Sequence, residues 1–230
     1  MNYVLAGRSI GAVLGRSAGS ADTLPAWAMA GGAPRPIACY QPKGAASLAA
    51  SYVNLATPGT FNAAPGVAPT FASATGWTFD GSTQYLDTGI VPTTTTWSMI
   101  IRFSGWTSYG NAPVVAGAAI TASSRFFTLT QYTDNKIYYG NGNFVGVTPS
   151  MSAGVIAVAG LTAYRNGSAD GTIASTVAVQ PPTIYVGARH DTAAPTVRQY
   201  AAASVQSIVI YSATLTSGQV AAVTAAMAAL

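Results

Sequence analysis

Residues 76 to 90 read Gly-Trp-Thr-Phe-Asp-Gly-Ser-Thr-Gln-Tyr-Leu-Asp-Thr-Gly-Ile. Trp77 and Phe79 alternate with Thr78, Asp80-Gly81 supplies a turn pair, and Tyr85-Leu86 resumes an apolar strand closed by Gly89. Such a stretch predicts two short strands folded about one tight turn, which fixes a β architecture before any chemistry is visible.

The same grammar continues downstream. Residues 97–104 read as the clearest strand, with Trp97, Met99, Ile101 and Phe103 on one face. Apolar runs at 114–120, 125–132, 137–140 and 144–148 follow at short intervals, and Asp134-Asn135 suits a tight hairpin because both residues tolerate positive φ. Runs at 155–159 and 161–165 come next, the latter turned by Asn166-Gly167 into 171–175, and then 184–188 and 205–211. Many short strands with regular turns predict an antiparallel sandwich rather than alternating strands and helices. One helix is expected, at the end. Thr216 caps it, Gln219 can return the bond to the cap backbone, and Val220, Val223, Met227 and Leu230 form an apolar stripe that lays it on the sandwich.

Composition changes near residue 37. Before it lies Gly-Ala-Ser-Arg sequence ending in Gly31-Gly32-Ala33-Pro34-Arg35-Pro36, without sustained period. Residues 1–36 therefore read as an arm and 37–230 as one domain. The arm has too little patterned apolar surface to offset an ordering cost of roughly 1 to 2 kcal/mol per residue, so contacts with the sandwich or with other subunits would have to hold it. Tyr3, Val4, Leu5, Ile10, Val13, Leu14, Leu24, Trp27 and Met29 are its available apolar anchors, with Trp27 the expected hot spot.

Charge is scarce. Ten Lys and Arg stand against six acids, all of them Asp, and the ten are scattered singly with no basic cluster to track a phosphate backbone, so nucleic acid is not an expected partner. No apolar run approaches the roughly 18 residues of a membrane span, and residues 1–20, interrupted by Arg8 and Arg16, do not resemble a secretory signal peptide. If the protein leaves its cell, a route other than that signal, such as lysis, is expected. The single cysteine, Cys39 beside Ile37 and Tyr40, excludes an intrachain disulfide and reads as a small core residue.

Together these stretches resemble the laminin G-like, concanavalin A-type jelly-roll family. The resemblance runs from about Tyr52 to Leu230 and is carried by Phe79-Asp80-Gly81-Ser82 with Gln84-Tyr85-Leu86, the 97–103 strand, Ala163-Tyr164-Arg165-Asn166-Gly167-Ser168, Ile184-Tyr185-Val186-Gly187-Ala188, and Ile208-Val209-Ile210-Tyr211 leading into Leu215-Thr216-Ser217-Gly218-Gln219-Val220. The fold class it implies is all-β: an antiparallel two-sheet jelly-roll sandwich with an extended N-terminal arm and one short C-terminal helix. Family members usually place a Gly and an acidic pair before the last strand; Ser204-Val205-Gln206-Ser207 stands here instead.

Function has to come from sites, since this fold hosts lectins, adhesion modules, glycosidases and virion proteins. Glycosidases of the laminarinase type use paired glutamates on one strand, and this chain has no glutamate; its aspartates, Asp22, Asp80, Asp87, Asp134, Asp170 and Asp191, are far apart in sequence. His190-Asp191 lacks a nucleophile motif, and neither a His/Cys zinc set nor a phosphate loop is present. The expectation is a protein that is not an enzyme, with no cofactor. Asp80 and Asp87 are the candidates for a calcium ion near the sandwich rim, against the preferred reading that Asp80 closes its own turn.

Glycan binding needs aromatic faces beside amide or hydroxyl groups. Trp106, Tyr109 and Asn111 supply that mixture in one predicted loop, and Arg189, His190, Arg198 and Tyr200 in another, with core capping or a subunit contact as the competing account of each. Two functions follow. The first is a virion structural protein of a tailed phage: a capsid decoration, head-fibre or tail-associated subunit, at the particle surface, held by its arm to capsid partners or to a homo-oligomer. The second is a free lectin-like module binding cell-surface glycan.

Overall fold

The computed structural model describes residues 24–106, 112–120, 125–131, 134–174, 182–193 and 196–230. A 3-10 segment, Ala26–Gly32, leads into β1 (Ala38–Tyr40) and the short α1 (Leu48–Ser51). Then come β2 (Ala64–Val67), β3 (Thr70–Ala72), β4 (Gly76–Thr78), β5 (Tyr85–Asp87), β6 (Ser98–Ser104), β7 (Val114–Ala119), β8 (Arg125–Gln131), β9 (Ile137–Asn141) and β10 (Asn143–Val147). The chain continues through β11 (Gly154–Ala159), β12 (Thr162–Arg165), β13 (Ser168–Thr172), β14 (Tyr185–Val186), β15 (Arg189–Asp191), β16 (Val197–Arg198) and β17 (Ser204–Tyr211) to α2 (Ser217–Ala228). Residues 132 and 175, predicted as strand ends, lie outside the described residues.

These strands form two sheets, in the orders β13-β12-β11-β6-β17-β4-β3 and β10-β9-β8-β7-β14-β5-β2. β1 adds to β17 in the first; β15 adds to β7 and β16 to β15 in the second, where the β15–β7 pairing is parallel and the other described pairings are antiparallel. The all-β, two-sheet sandwich with a C-terminal helix is thus the observed architecture. No described helix is long and apolar enough to cross a membrane.

Period-two alternation sorts the first sheet's side chains into two cores. Met99, Ile101 and Phe103 of β6, with Trp77 and Phe79, meet Leu86, Phe126, Ile137, Tyr139 and Val186 of the second sheet. The opposite positions, Cys39, Ile100, Val155, Ala157, Val209 and Tyr211, face α2 and residues 24–33. Each large apolar side chain so buried contributes about 1.5–3 kcal/mol. In β17 the alternation breaks: Val205, Ile208 and Ile210 all belong to the inter-sheet core because a bulge at Gln206 adds one residue between Val205 and Ser207.

The Asn166-Gly167 hairpin forms as predicted, Arg165 opposite Ser168, with both turn residues at positive φ (49° and 85°). The 76–90 stretch does not. β4 pairs with β3 and β17 in the first sheet, whereas β5 pairs with β14 and β2 in the second, so the chain crosses between sheets where a hairpin was expected. The reason is Asp80. Its Oδ1 accepts from three successive amides, Ser82, Thr83 and Gln84, at 2.9, 2.9 and 3.1 Å, and Oδ2 accepts from the Thr83 hydroxyl at 2.6 Å. That nest builds a broad corner, not a two-residue turn, although the Asp-Gly signal is the same.

α2 carries the predicted capping box between Thr216 and Gln219 and buries Val220, Val223 and Met227. Residues 24–33 lie across it. Trp27 Nε1 donates to Gln41 Oε1 (2.7 Å), the Tyr211 hydroxyl donates to Ala28 O (2.7 Å), and Gln219 Nε2 donates to Gly32 O (2.9 Å). Leu24 and Trp27 are buried there and Met29 is 40 % exposed; Tyr3, Leu5, Ile10 and Leu14 lie outside the described residues.

Candidate functional site

The strand pair β14 and β15, seven residues from Tyr185 to Asp191, builds the most chemically distinctive surface. In β14 alternation sends Val186 into the inter-sheet core and leaves Tyr185 on the other side. Tyr185 stacks on Tyr85 of the neighbouring β5, ring centroids 4.7 Å apart, and on His190, 3.9 Å apart and inclined by only 11°. Tyr200 meets Tyr85 edge-on at 6.5 Å. The result is a three-ring ladder with a fourth ring at its end. Tyr85 lies flat against β2, where a Cβ on Gly66 would come within 2.0 Å of its ring, so the bare glycine backbone is what seats it.

Hydrogen bonding and burial tune these rings. His190 Nδ1 lies 2.9 Å from Thr183 O, which can only accept, so Nδ1 carries the proton and Nε2 is the acceptor in the neutral ring. Burial, reinforced by Asp87 and Tyr85, pushes the Tyr185 hydroxyl up to about 12, and Tyr200 is also raised, first by burial and then by Tyr85 and Asp80. Both phenols therefore stay neutral donors near neutral pH.

Arginines gather on the other side of β15. Arg189 and Asp191 share one side of that strand, and the guanidinium of Arg189 grips the carboxylate with two bonds, Nε to Oδ1 at 3.0 Å and Nη2 to Oδ2 at 2.6 Å. Arg198, opposite Arg189 in β16, places Nε 3.1 Å from Asp191 Oδ2. Arg125 joins them because Ala119 of β7 is the register partner of both Arg125 and Asp191. Its guanidinium also sits 4.6 Å over the Phe144 ring. Burial first, then repulsion from Arg189, lowers the Arg125 pKa to about 10 against the opposing pull of Asp191. These four charged side chains, with Ala119 and Ile120, line a cavity of about 360 Å³.

The structure divides the residues that the sequence placed in one loop: His190 and Tyr200 belong to the ring ladder, whereas Arg189 and Arg198 meet at Asp191 on the other side of β15. Trp106 is elsewhere: it is 1 % exposed and packs edge-on against Phe103 in the inter-sheet core, so it offers no face to a ligand. Tyr109 and Asn111 lie outside the described residues. Tyr85, Tyr185 and Arg125 were missed. The signal for the two tyrosines was available, since each occupies the outward position of a period-two strand, Tyr85 before Leu86 and Tyr185 before Val186.

The other carboxylates among the described residues are held locally. Burial would raise Asp80, but the Thr83 hydroxyl and three amides hold it well below the usual carboxylate range; Asp87 accepts from Gly89 N at 2.8 Å. Asp134 pairs with Lys136 and the Tyr138 hydroxyl, and Asp170 with Arg165 and the Tyr139 hydroxyl. Among the described residues no three His, Cys, Asp or Glu side chains cluster as a metal set.

No protein-family model matches the sequence, and no curated protein matches it significantly. Solved structures do share its fold. A Trypanosoma rangeli sialidase in complex with sialic acid superposes with a TM-score of 0.54 at 13 % identity, over 82 % of this chain and 32 % of that one. A mutant of Trypanosoma rangeli sialidase displaying trans-sialidase activity gives 0.53 at 12 % identity, over 85 % and 33 %. This chain spans about a third of the length of those proteins, and identities so low carry the fold alone. They nevertheless overturn the expectation that the protein stands outside enzymes. The missing glutamate excludes one hydrolytic chemistry, paired glutamates on a sandwich strand, and that exclusion does not extend to enzymes in general, because sialidases contain this architecture.

Proposed function

We propose that this chain is a carbohydrate-binding β-sandwich module of the laminin G-like, concanavalin A-type kind, with sugar bound along the Tyr85, Tyr185, His190 and Tyr200 edge. The observation that carries the reading is the ring ladder itself. Four aromatic rings stand in series over β5 and β14, three of them only partly buried, with a histidine acceptor and two neutral phenol donors. Apolar faces beside directional polar groups are what pyranose recognition requires. That the sandwich recurs in proteins solved with sialic acid agrees with this reading. The alternative, a virion subunit gripped by its arm, gains nothing from Leu24 and Trp27, whose side chains are covered by α2 of the same chain.

The test is a saccharide array followed by titration of any hit against the wild type and Tyr200→Ala, a partly exposed ring at the end of the ladder. Affinity in the millimolar range, about 4 kcal/mol, is expected for a shallow site. Loss of one ring contact worth roughly 0.5–1.5 kcal/mol should weaken it about two- to tenfold. An array with no hit, or a hit indifferent to Tyr200→Ala and to Tyr85→Ala, would remove the reading.

A further inference from the structure

We propose that Phe61 and Asp87 extend the sugar site along β5, Phe61 as a stacking platform and Asp87 as a hydroxyl acceptor, so that the site takes a neutral oligosaccharide rather than a single sugar. The inference rests on the carbohydrate reading and names its ligand class and two specificity-determining residues.

The backbone of Phe61 is the first observation. Its φ is +55°, in the left-handed region that bulky L-residues avoid and that glycine or asparagine enters readily. The surrounding chain holds it there from several sides. Phe61 O accepts from the Tyr40 hydroxyl, and Asn62 Oδ1 accepts from Asn54 N (2.9 Å) and Gly59 N (3.2 Å). The buried Asn54 also donates to Thr60 O at 2.9 Å. All of this presents a ring that stays 40 % exposed. Folding would be served with less strain by a residue that tolerates positive φ, so a bulky ring kept here points to a use outside the core.

Position is the second. A Cβ on Gly89 would lie 3.7 Å from Phe61 Cδ1, which sets the ring beside Gly89, two residues and at most about 7 Å of chain past Asp87. Asp87 is the register partner of Tyr185 on one side and of Ala64 on the other, so its carboxylate shares a sheet face with Tyr185, their Cα atoms about 5 Å apart. Phe61, Asp87 and Tyr185 therefore follow one another on the β5 side of the ladder, away from β7 and the arginine cavity. Ala64 is small and exposed, which leaves the floor beside Asp87 open.

Chemistry is the third. Asp87 Oδ1 accepts from Gly89 N at 2.8 Å, one of about four acceptor positions on a carboxylate. Its charge reaches both neighbours: burial and then Asp87 raise the Tyr185 phenol, and burial, Cys39 and then Asp87 raise the Tyr40 phenol that holds Phe61 O. Tyr85 and Tyr185 stack on each other and Tyr185 on His190, whereas Phe61 adds exposed apolar surface for the C–H face of a pyranose. Asp87 then accepts from the sugar hydroxyls, and its fixed negative charge disfavours an acidic sugar.

The full chain should be titrated calorimetrically with cellotetraose, maltotetraose, β-1,4-galactotetraose, the matching monosaccharides and tetragalacturonate. A neutral tetraose should be the tightest of these, about tenfold tighter than its monosaccharide. Phe61→Asn, which accepts the same φ, and Asp87→Asn, which keeps an acceptor for Gly89 N, should each weaken it about five- to tenfold, while Phe61→Trp, which keeps an aromatic face, should bind within about threefold of the wild type. If either asparagine variant binds like the wild type, or tetragalacturonate is the tightest ligand, the extension is wrong; should Phe61→Asn fail to fold, Asp87→Asn and Phe61→Trp decide by the same limits. A neutral sugar that ignores both positions yet responds to Tyr200→Ala would leave the ladder reading standing alone. Should no saccharide bind, both fall.

Discussion

Asn54 offers a demanding test of how this sandwich is held. Its side chain is fully buried and makes four bonds to backbone: Oδ1 accepts from Cys39 N (2.9 Å) and Ala56 N (3.0 Å), and Nδ2 donates to Ile37 O (3.0 Å) and Thr60 O (2.9 Å). β1 is bonded to β17 on one side only, so the amide of Asn54 finishes its free edge as a neighbouring strand would. In Asn54→Ala two amides, Cys39 and Ala56, lose their partners in a buried setting, at about 1–3 kcal/mol each, whereas the Thr60 carbonyl belongs to an exposed residue and can turn to water. The expected loss is about 3–4 kcal/mol, or roughly 6–15 °C in melting temperature for a domain of this size. Asn54→Asp adds a sign. A carboxylate there would face two carbonyls, its folded pKa would rise, and stability would be lost as pH rises above the unfolded value of about 3.9. Urea denaturation of both variants at pH 4 and pH 7 reads this directly. A loss below about 1 kcal/mol in Asn54→Ala, or an Asn54→Asp variant whose deficit relative to wild type is the same at both pH values, would refute the edge-closing role.

Two further outcomes follow from the packing. Asp80, whose folded pKa is depressed, contributes stability above pH 4 that fades as the pH falls further; Asp80→Asn should therefore cost at most about 1 kcal/mol at pH 7, given its exposure, and a smaller part of that near pH 2, as equilibrium denaturation at the two values would show. Gly31 has φ of +64° and a Cβ there would lie 2.6 Å from Ala222 Cβ, so Gly31→Ala should cost about 2–4 kcal/mol, and adding Ala222→Gly should restore the clash portion but not the backbone strain of roughly 1–2 kcal/mol, a split that thermal melts of the single and double variants resolve.

Local grammar explains what could be read from the chain and what could not. β6 was legible because Trp97, Met99, Ile101 and Phe103 keep strict alternation, and α2 because its capping box is a four-residue signal. The 76–90 corner was misread since Asp-Gly marks a turn without saying whether the next strand returns to the same sheet. The bulge at Gln206 leaves no trace in composition, yet it decides which of Ile208 and Val209 faces the second sheet. The candidate site was half visible: Arg189, His190 and Tyr200 are close in sequence, whereas Tyr85 and Arg125 arrive through pairings of β5 and β7 across long separations that no local pattern encodes. Trp106 shows the converse, a loop aromatic that folding turns inward.

β17 pairs with β6 on one edge and with β1 and β4 on the other, so an interior strand of the first sheet is its last in chain order. During synthesis the strands destined for either side of it emerge with no partner between them, and the groove that receives Trp27 and Ala28 does not exist until Tyr211 and α2 have been made. Assembly of that sheet therefore waits until β17 has left the ribosome. Such long-range closure is slow, and a nascent chain arrested before residue 204 would display two unfinished strand edges to its neighbours.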